Sequence, residues 1–310
     1  MGRRPSRLVA ATAAVLTLAA CEARSYGTPP ADKPDPAPLI VVAPQGPLAP
    51  LPEASPDEPA SSFNGLDTRT EQATAEAAAK GADITTVVLD RSTGQQVTNG
   101  NDRDIAIASV VKLFIADDML LRGPPLSPDD TKMFQSMLRS SDDSAAQVFW
   151  DRNGGSAIVT RVAARYGLSG TRPNGLWFNT ISTAADLVRY YDMMLSGAGG
   201  LPMDKADMIV DNLAQSTPTG IDGMMPGGVY PQRFGIPEGL YAEPVAVKQG
   251  WMCCVGSDWM HLSTGIIGSD RRYVMAIASD QPASADAARA TITEAIKTMF
   301  PGGRIQRGAY

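Results

Sequence analysis

Histidine is nearly absent from this chain: His261 is the only one in 310 residues. A metal centre built on imidazoles is thereby excluded, and one histidine near two adjacent cysteines lacks the ligand spacing of a zinc cluster. Cysteine is scarce as well, with Cys21, Cys253 and Cys254 making up the whole set. Basic residues number 27 against 33 acidic ones, for a formal net charge of −6. An acidic surface repels phosphate backbones, which argues against nucleic acid as a partner. No apolar run is long enough to span a bilayer comfortably. Nothing in the composition calls for a metal or a cofactor.

What is present begins at the N-terminus. Arg3, Arg4 and Arg7 precede an apolar run from Leu8 to Ala20 that is rich in alanine and threonine. A short basic segment followed by a short apolar one reads as an export signal. It ends in Leu18-Ala19-Ala20-Cys21, which resembles a bacterial lipobox. That resemblance implies cleavage before Cys21 and acyl chains, palmitate among them, on the new terminus. Each buried methylene adds roughly 0.8 kcal/mol, so several chains anchor firmly where one is marginal. Prolines recur from Pro29 to Pro59 with few aromatics between them, a composition that favours extended, unpacked chain. The expected division is residues 1–20 as signal peptide, 21–61 as lipidated Cys21 and proline-rich tether, and 62–310 as the folded domain. Cleavage removes three arginines and no acid, leaving a net charge of about −9 on the mature chain. The expected location is the cell membrane, with the chain lipid-anchored on the extracytoplasmic side. In that oxidising setting Cys253 and Cys254 either bridge as a vicinal disulfide or stay as two thiols. Usual bridges hold the Cα atoms roughly 4.4–6.8 Å apart, against about 3.8 Å for neighbours across a trans peptide, so both states stay open.

The pattern changes near Asn64. Residues 66–80 are rich in helix formers. Residues 84–89 read as a strand, 90–94 as a hairpin turn and 95–98 as the returning strand. Helical signals follow at 109–121, 129–139, 143–151, 156–166, 183–195 and 203–213, with Thr183 and Asp186 forming a capping pair. Strand character returns only at 244–248, 261–267 and 273–278, joined by short connections that suit antiparallel neighbours. A last helix covers 285–300. The order predicts an α+β fold: an antiparallel sheet flanked by terminal helices, with an inserted all-helical lobe.

Three short motifs carry chemistry. In Ser109-Val110-Val111-Lys112 the lysine stands one helical turn from the serine. A serine hydroxyl needs a base to take its proton, and a lysine serves only where burial or a nearby cation favours the neutral amine. Lys248-Gln249-Gly250 follows an apolar strand, where a lysine ordinarily marks the turn into water, and the glycine permits close approach. Between them lies Ser141-Asp142-Asp143. Each motif is weak alone. In this order they resemble the Ser-x-x-Lys, Ser-Asp-Asn and Lys-Thr-Gly motifs of serine β-lactamases and penicillin-binding proteins. Leu89 to Gly94 also resembles the first hairpin of that family, and the likeness covers roughly residues 66–300. The chain is further similar to alanine-rich mycobacterial lipoproteins that carry such a domain.

The resemblance implies a β-lactamase/transpeptidase-like fold and roles for particular residues. Ser109 is the acylated nucleophile and Lys112 its activator. Ser141 passes a proton toward the leaving group. Lys248 holds a substrate carboxylate and keeps the local field positive. Asp143, Gln249, Gly250 and Trp251 line the substrate site, and the N–H groups of Ser109 and Trp251 form an oxyanion hole. Three departures qualify this. Asp143 stands where the family has asparagine; an ionised carboxylate cannot donate to a substrate carbonyl, and pairing with Lys112 would make a poorer base. Gln249 replaces a shorter hydroxyl donor. No carboxylate occurs between Gly167 and Thr180, where the acid that drives deacylation in the common β-lactamases would sit, so an acyl-enzyme should hydrolyse slowly. Trp177, Phe178, Trp251 and Trp259 either line the groove mouth or belong to the core. The stretch from Tyr230 to Tyr241 is irregular and suited to one wall.

Two functional readings follow. One is an envelope serine hydrolase or acyl transferase of the β-lactamase or DD-peptidase kind. It would act through acyl-Ser109 on a peptide-like or β-lactam-like amide or ester, with peptidoglycan as one such envelope ligand. The other is a non-catalytic binding or scaffold lipoprotein that keeps the fold. An efficient drug-hydrolysing β-lactamase is disfavoured by the missing loop acid.

Overall fold

Strands whose side chains are apolar on both faces need cover on both sides, and this requirement organises the domain. A computed structural model describes residues 63–222 and 227–306, with backbone only for Asp222. The expected signal peptide, Cys21 and the tether lie outside the described residues. Among those described, no helix is long and apolar enough to cross a membrane.

The chain opens with α1 (Leu66–Ala79), then β1 (Asp83–Asp90), β2 (Gln96–Thr98) and the two-residue β3 (Ile105–Ala106). A 3₁₀ turn at Ala108–Val111 leads into α2 (Lys112–Arg122), followed by α3 (Pro128–Arg139), α4 (Asp143–Arg152) and α5 (Ala157–Tyr166). After β4 (Ile181–Ser182) come α6 (Ala184–Ser196) and α7 (Met203–Ala214). A small hairpin, β5 (Thr219–Asp222) and β6 (Gly228–Pro231), precedes the short α8 (Ile236–Gly239). The chain then forms β7 (Val245–Val255), β8 (Asp258–Ile267), β9 (Tyr273–Gln281) and α9 (Ala285–Met299).

The main sheet has the order β2–β1–β9–β8–β7 and is antiparallel throughout. Alternation along each strand divides the core in two. In β9, Val274, Ala276 and Ala278 face the helical lobe, while Met275 and Ile277 face the layer of α1 and α9. In β1, Val87 takes the lobe side and Ile84 and Val88 the other. This double burial is why the strands read as nearly continuous apolar runs. The terminal helices lie side by side, with Arg69 Nε donating to the Met299 carbonyl at 2.7 Å. The expected α+β sheet with an inserted lobe is the fold observed.

Helix starts follow local chemistry. Ser127, Asp142, Thr183 and Ser284 each cap a helix by accepting from backbone N–H groups two or three residues on. The Thr183 cap receives the Asp186 N–H at 3.1 Å, as the pair predicted. Helix α2 is the axis of the lobe, buried from Lys112 to Leu120 without interruption. Such a helix is covered on every side.

Three expectations change. The helix predicted from Ser109 opens as a 3₁₀ turn, and its α-helical part begins at Lys112. The β3–β4 pair and the β5–β6 hairpin were not foreseen. The lysine strand does not end near Lys248 but continues through Trp251 to Val255, because β8 offers it a partner along that whole length.

Candidate active site

Two backbone irregularities set the cleft. Among the described residues, three non-glycines have positive φ, and two of them, Ala108 (44°) and Ser141 (53°), flank the same small space. Such conformations are costly for residues with a Cβ and persist where the surroundings over-determine them. Ala108 aims the following turn, which carries Ser109, toward the edge strand β7. Gly250 makes that approach possible: a Cβ there would meet the Ile107 carbonyl oxygen at 2.6 Å. Ser141 ends the connection after α3, and Asp142 caps α4, which places Asp143 in the first turn of that helix.

The side chains converge on Lys112. Its Nζ lies 2.7 Å from Ser109 Oγ, 2.7 Å from the Ser141 carbonyl oxygen, 3.2 Å from Ser141 Oγ and 2.5 Å from Asp143 Oδ1. Lys248 Nζ donates to Ser141 Oγ at 2.8 Å and to its neighbour's carbonyl, Gln249 O, at 3.0 Å. Ser141 Oγ therefore sits between two amines. Lys112 and Lys248 are 0% and 1% exposed, whereas the Asp143 carboxylate keeps a quarter of its side-chain surface open. Burial first, and the charge of Lys112 second, hold the Lys248 amine well below its usual range, with Asp143 pulling the other way.

The structure thus brings Ser109, Lys112, Ser141, Asp143 and Lys248 into one hydrogen-bonded group, and Gly250 beside it. Two of the expected substrate contacts lie away from the cleft surface. Lys248, placed in sequence as the holder of a substrate carboxylate, is sealed beneath the cleft and engaged with Ser141. Gln249, placed as a substrate donor, points the opposite way, because neighbours on a strand face opposite sides of the sheet. Its Nε2 donates to the Phe234 carbonyl inside the core, and its buried Oε1 has no hydrogen-bond partner among the described residues.

Above the polar floor stands an aromatic wall. A cleft of about 320 Å³ is lined by Ser109 and Asp143 at the base and by Trp177, Phe178, Trp251 and Trp259 around it. The four aromatics singled out in sequence therefore all reach the cleft. Tyr230, Met252 and Cys253 complete it. Tyr230 lies on the stretch expected to shape a wall, and its ring stacks on Trp251 at 4.6 Å and 10°. Cys253 and Cys254 are placed as a vicinal disulfide across a cis peptide bond. The place of Met252 was legible only in its spacing: two residues beyond Gly250, it takes the same face of β7.

Comparison with known proteins places these features. A family profile described as "Beta-lactamase enzyme family" matches residues 131–300, a span that includes Ser141 and Lys248 but begins after Ser109 and Lys112. Proteins named "Putative lipoprotein LppW" from Mycobacterium tuberculosis and Mycobacterium bovis are 56% identical over 327 aligned positions, covering 98% of this chain and 100% of theirs. Among solved structures, the β-lactamase from Streptomyces albus G superposes with a TM-score of 0.61 at 16% identity, over 75% of this chain and 98% of that one. The TLA-3 extended-spectrum β-lactamase gives 0.59 at 14%, over 77% and 98%. A protein named PBP-A gives 0.59 at 16%, over 76% and 95%. At these identities the likeness is one of fold.

Proposed function

The chain belongs to the beta-lactamase enzyme family, and from that premise we propose that it is a membrane-anchored serine acyl-transfer protein acting through an acyl-Ser109 intermediate. The observation that carries this reading is the 2.7 Å separation of Ser109 Oγ and Lys112 Nζ at the base of an open cleft. A nucleophile and its base must lie within hydrogen-bond reach, and these do.

In the proposed step, Lys112 as a neutral amine takes the Ser109 proton while Oγ bonds to the substrate carbonyl carbon. The N–H groups of Ser109 and Trp251 receive the developing oxyanion, each worth roughly 3–4 kcal/mol in the transition state. Collapse breaks the bond to the leaving nitrogen or oxygen. Ser141 Oγ, bridging the two amines, relays a proton to it. An ester on Ser109 and a free amine or alcohol result. Lys248 positions Ser141 and keeps a second proton-accepting amine close by.

Two features set the rate of this chemistry. The Asp143 carboxylate, 2.5 Å from Lys112, favours the ammonium form and withholds the base. The loop from 167 to 180 supplies no carboxylate to activate water, so the acyl-enzyme persists. Slow acylation and slower release fit a transferase, or a protein that traps its ligand, better than an efficient hydrolase. The name shared by the mycobacterial relatives, with the lipobox ending at Cys21, supports anchoring by lipid on the extracytoplasmic side, with residues 21–61 as the spacer.

The Asp143–Lys112 ion pair also favours a second reading, a ligand-binding lipoprotein that retains the fold without turnover. A fluorescent acyl-serine probe read by intact mass separates the two. Acyl transfer predicts one adduct, on Ser109, absent from Ser109→Ala. No adduct with esters, β-lactams or phosphonates leaves the binding reading alone.

A further inference from the structure

Resting on the acyl-Ser109 reading, we infer that the cleft selects an uncharged ester or amide with an apolar acyl group and rejects a substrate carboxylate. Two independent observations carry this. The first is charge. Among the described residues that line the cleft, Asp143 is the one acidic side chain, and no lysine, arginine or histidine is among them. Lys112 is fully buried and ion-paired to that same carboxylate. Lys248 lies beneath the floor, donating to Ser141 Oγ and to the Gln249 carbonyl. The Gln249 amide is turned into the core. A carboxylate entering here would meet an acid whose one ion-pair partner is buried, and no lysine, arginine or histidine on the lining; Arg289 lies against the Tyr230 ring, outside the lining residues.

The second observation is the character of the wall. Trp177 and Phe178 meet edge to face at 5.1 Å and 87° on one side, while Tyr230 lies flat on Trp251 and within 6.1 Å of Trp259 on the other. Two of the polar handles on these rings are already engaged inside the protein. The Trp177 indole N–H donates to Gln147 Oε1 at 3.0 Å, and the Tyr230 hydroxyl is bonded to His261 Nε2 at 2.8 Å. His261 is itself buried among Phe234, Trp259 and Tyr230. The Tyr230 ring is held between Trp251 and the Arg289 guanidinium, 4.8 Å from its centre, and the Lys112 amine lies 4.9 Å from the centre of the Trp177 ring. The apolar surface of the wall comes from the edges of these two rings together with Phe178, Trp251, Met252 and Trp259. Such a surface holds an alkyl chain or a flat ring by area and stacking, whereas a polar sugar edge would find little to bond. A volume near 320 Å³ is at the lower end for a small-molecule site, enough for a medium acyl group beside the reacting carbonyl.

The test uses two esters with the same leaving group and the same six-carbon acyl chain. They are p-nitrophenyl hexanoate, which is uncharged, and the p-nitrophenyl monoester of adipic acid, which ends in a carboxylate. Acylation is followed by nitrophenolate release and by the mass of the Ser109 adduct. The hexanoate should acylate at least about tenfold faster, equivalent to about 1.4 kcal/mol. Phe178→Ala and Tyr230→Ala should narrow that ratio by slowing the hexanoate alone. Equal rates, or a faster adipate, overturn the inference, as does an unchanged ratio in both variants when they fold normally. If neither ester acylates, the anilides of the same two acids are titrated against Ser109→Ala by tryptophan fluorescence. Preference for hexananilide then upholds this selectivity while removing the acyl-serine reading. Equal binding, preference for the adipate, or no binding of either overturns the selectivity itself.

Discussion

Two of the buried ionic clusters on helix α2, those of Lys112 and Asp117, differ in one decisive respect. At its start, Lys112 gathers Ser109, Ser141 and Asp143. One and a half turns on, Asp117 gathers Arg165, the Tyr166 hydroxyl at 2.5 Å and the Tyr190 hydroxyl at 3.3 Å. The Asp117 cluster is closed: its carboxylate is fully buried and the groups around it belong to neighbouring helices. Burial pushes the Asp117 carboxyl up, against the pull of Arg165. The Lys112 cluster is built from the same materials, yet it ends in a hydroxyl and a carboxylate that face open space. A buried charge that is completely partnered holds helices in register; one that leaves a reactive atom at a cleft is equipped for chemistry. The difference lies in access, not in the residue types.

The comparison is sharpest if it is broken from both sides. Ser109→Ala should reduce labelling by an acyl-serine probe by about three orders of magnitude or more, about 4 kcal/mol in the barrier, and change unfolding free energy by less than about 1 kcal/mol. Asp117→Ala should do the reverse. Losing one partner of a buried pair costs about 3–5 kcal/mol, read by denaturant unfolding, while the molecules that remain folded still label. If Asp117→Ala abolishes labelling without loss of stability, the division between the clusters is wrong.

Lys248 sharpens the same contrast through pH. Its folded amine is held below the unfolded value of 10.5, so between those two values the unfolded chain binds more protons. Stability should therefore rise with pH across that window, by at most about 1.4 kcal/mol per unit. In Lys248→Met that contribution to the slope should disappear. An identical slope in both proteins would mean that Lys248 is charged when folded. The smallest effect is expected of Asp143→Asn. Removing the carboxylate beside Lys112 favours the neutral amine, and labelling at neutral pH should rise by roughly tenfold, about 1.4 kcal/mol. A fall instead would assign Asp143 a positive part in the proton transfer.

The two clusters were unequally legible in sequence. The cleft group announced itself through spacing: a serine and lysine one turn apart, then a second lysine before a glycine on a strand. The Asp117 cluster left a weaker trace, two adjacent acids within an otherwise apolar helix. Acids so placed require buried partners, but Arg165 and Tyr190 stand 48 and 73 residues away, beyond any local pattern. Strands β1 and β9 were readable because both faces are covered. The β5–β6 hairpin was not, since Pro218, Gly220, Gly227 and Gly228 mask its alternation. A lysine at the end of an apolar run ordinarily meets water, and here Lys248 meets Ser141. The inward turn of Gln249 is set by the Phe234 carbonyl that accepts its amide, not by alternation alone, since Trp251 and Cys253 share its parity on β7 and line the cleft.

The sheet order also bears on how the molecule comes into being. Strand β1, near the front of the domain, finds its inner neighbour in β9, near the end; Thr86 Oγ1 donates to the Ala276 carbonyl across 190 residues of chain. Until that late strand is available, β1 has only the three-residue β2 beside it, too little to stand alone. A chain released front end first must therefore hold its opening strands in waiting. Assembly then comes in a single late event that closes a very long loop. Loss of the final forty residues would remove β9 and α9 together, and with them the inner partner of β1.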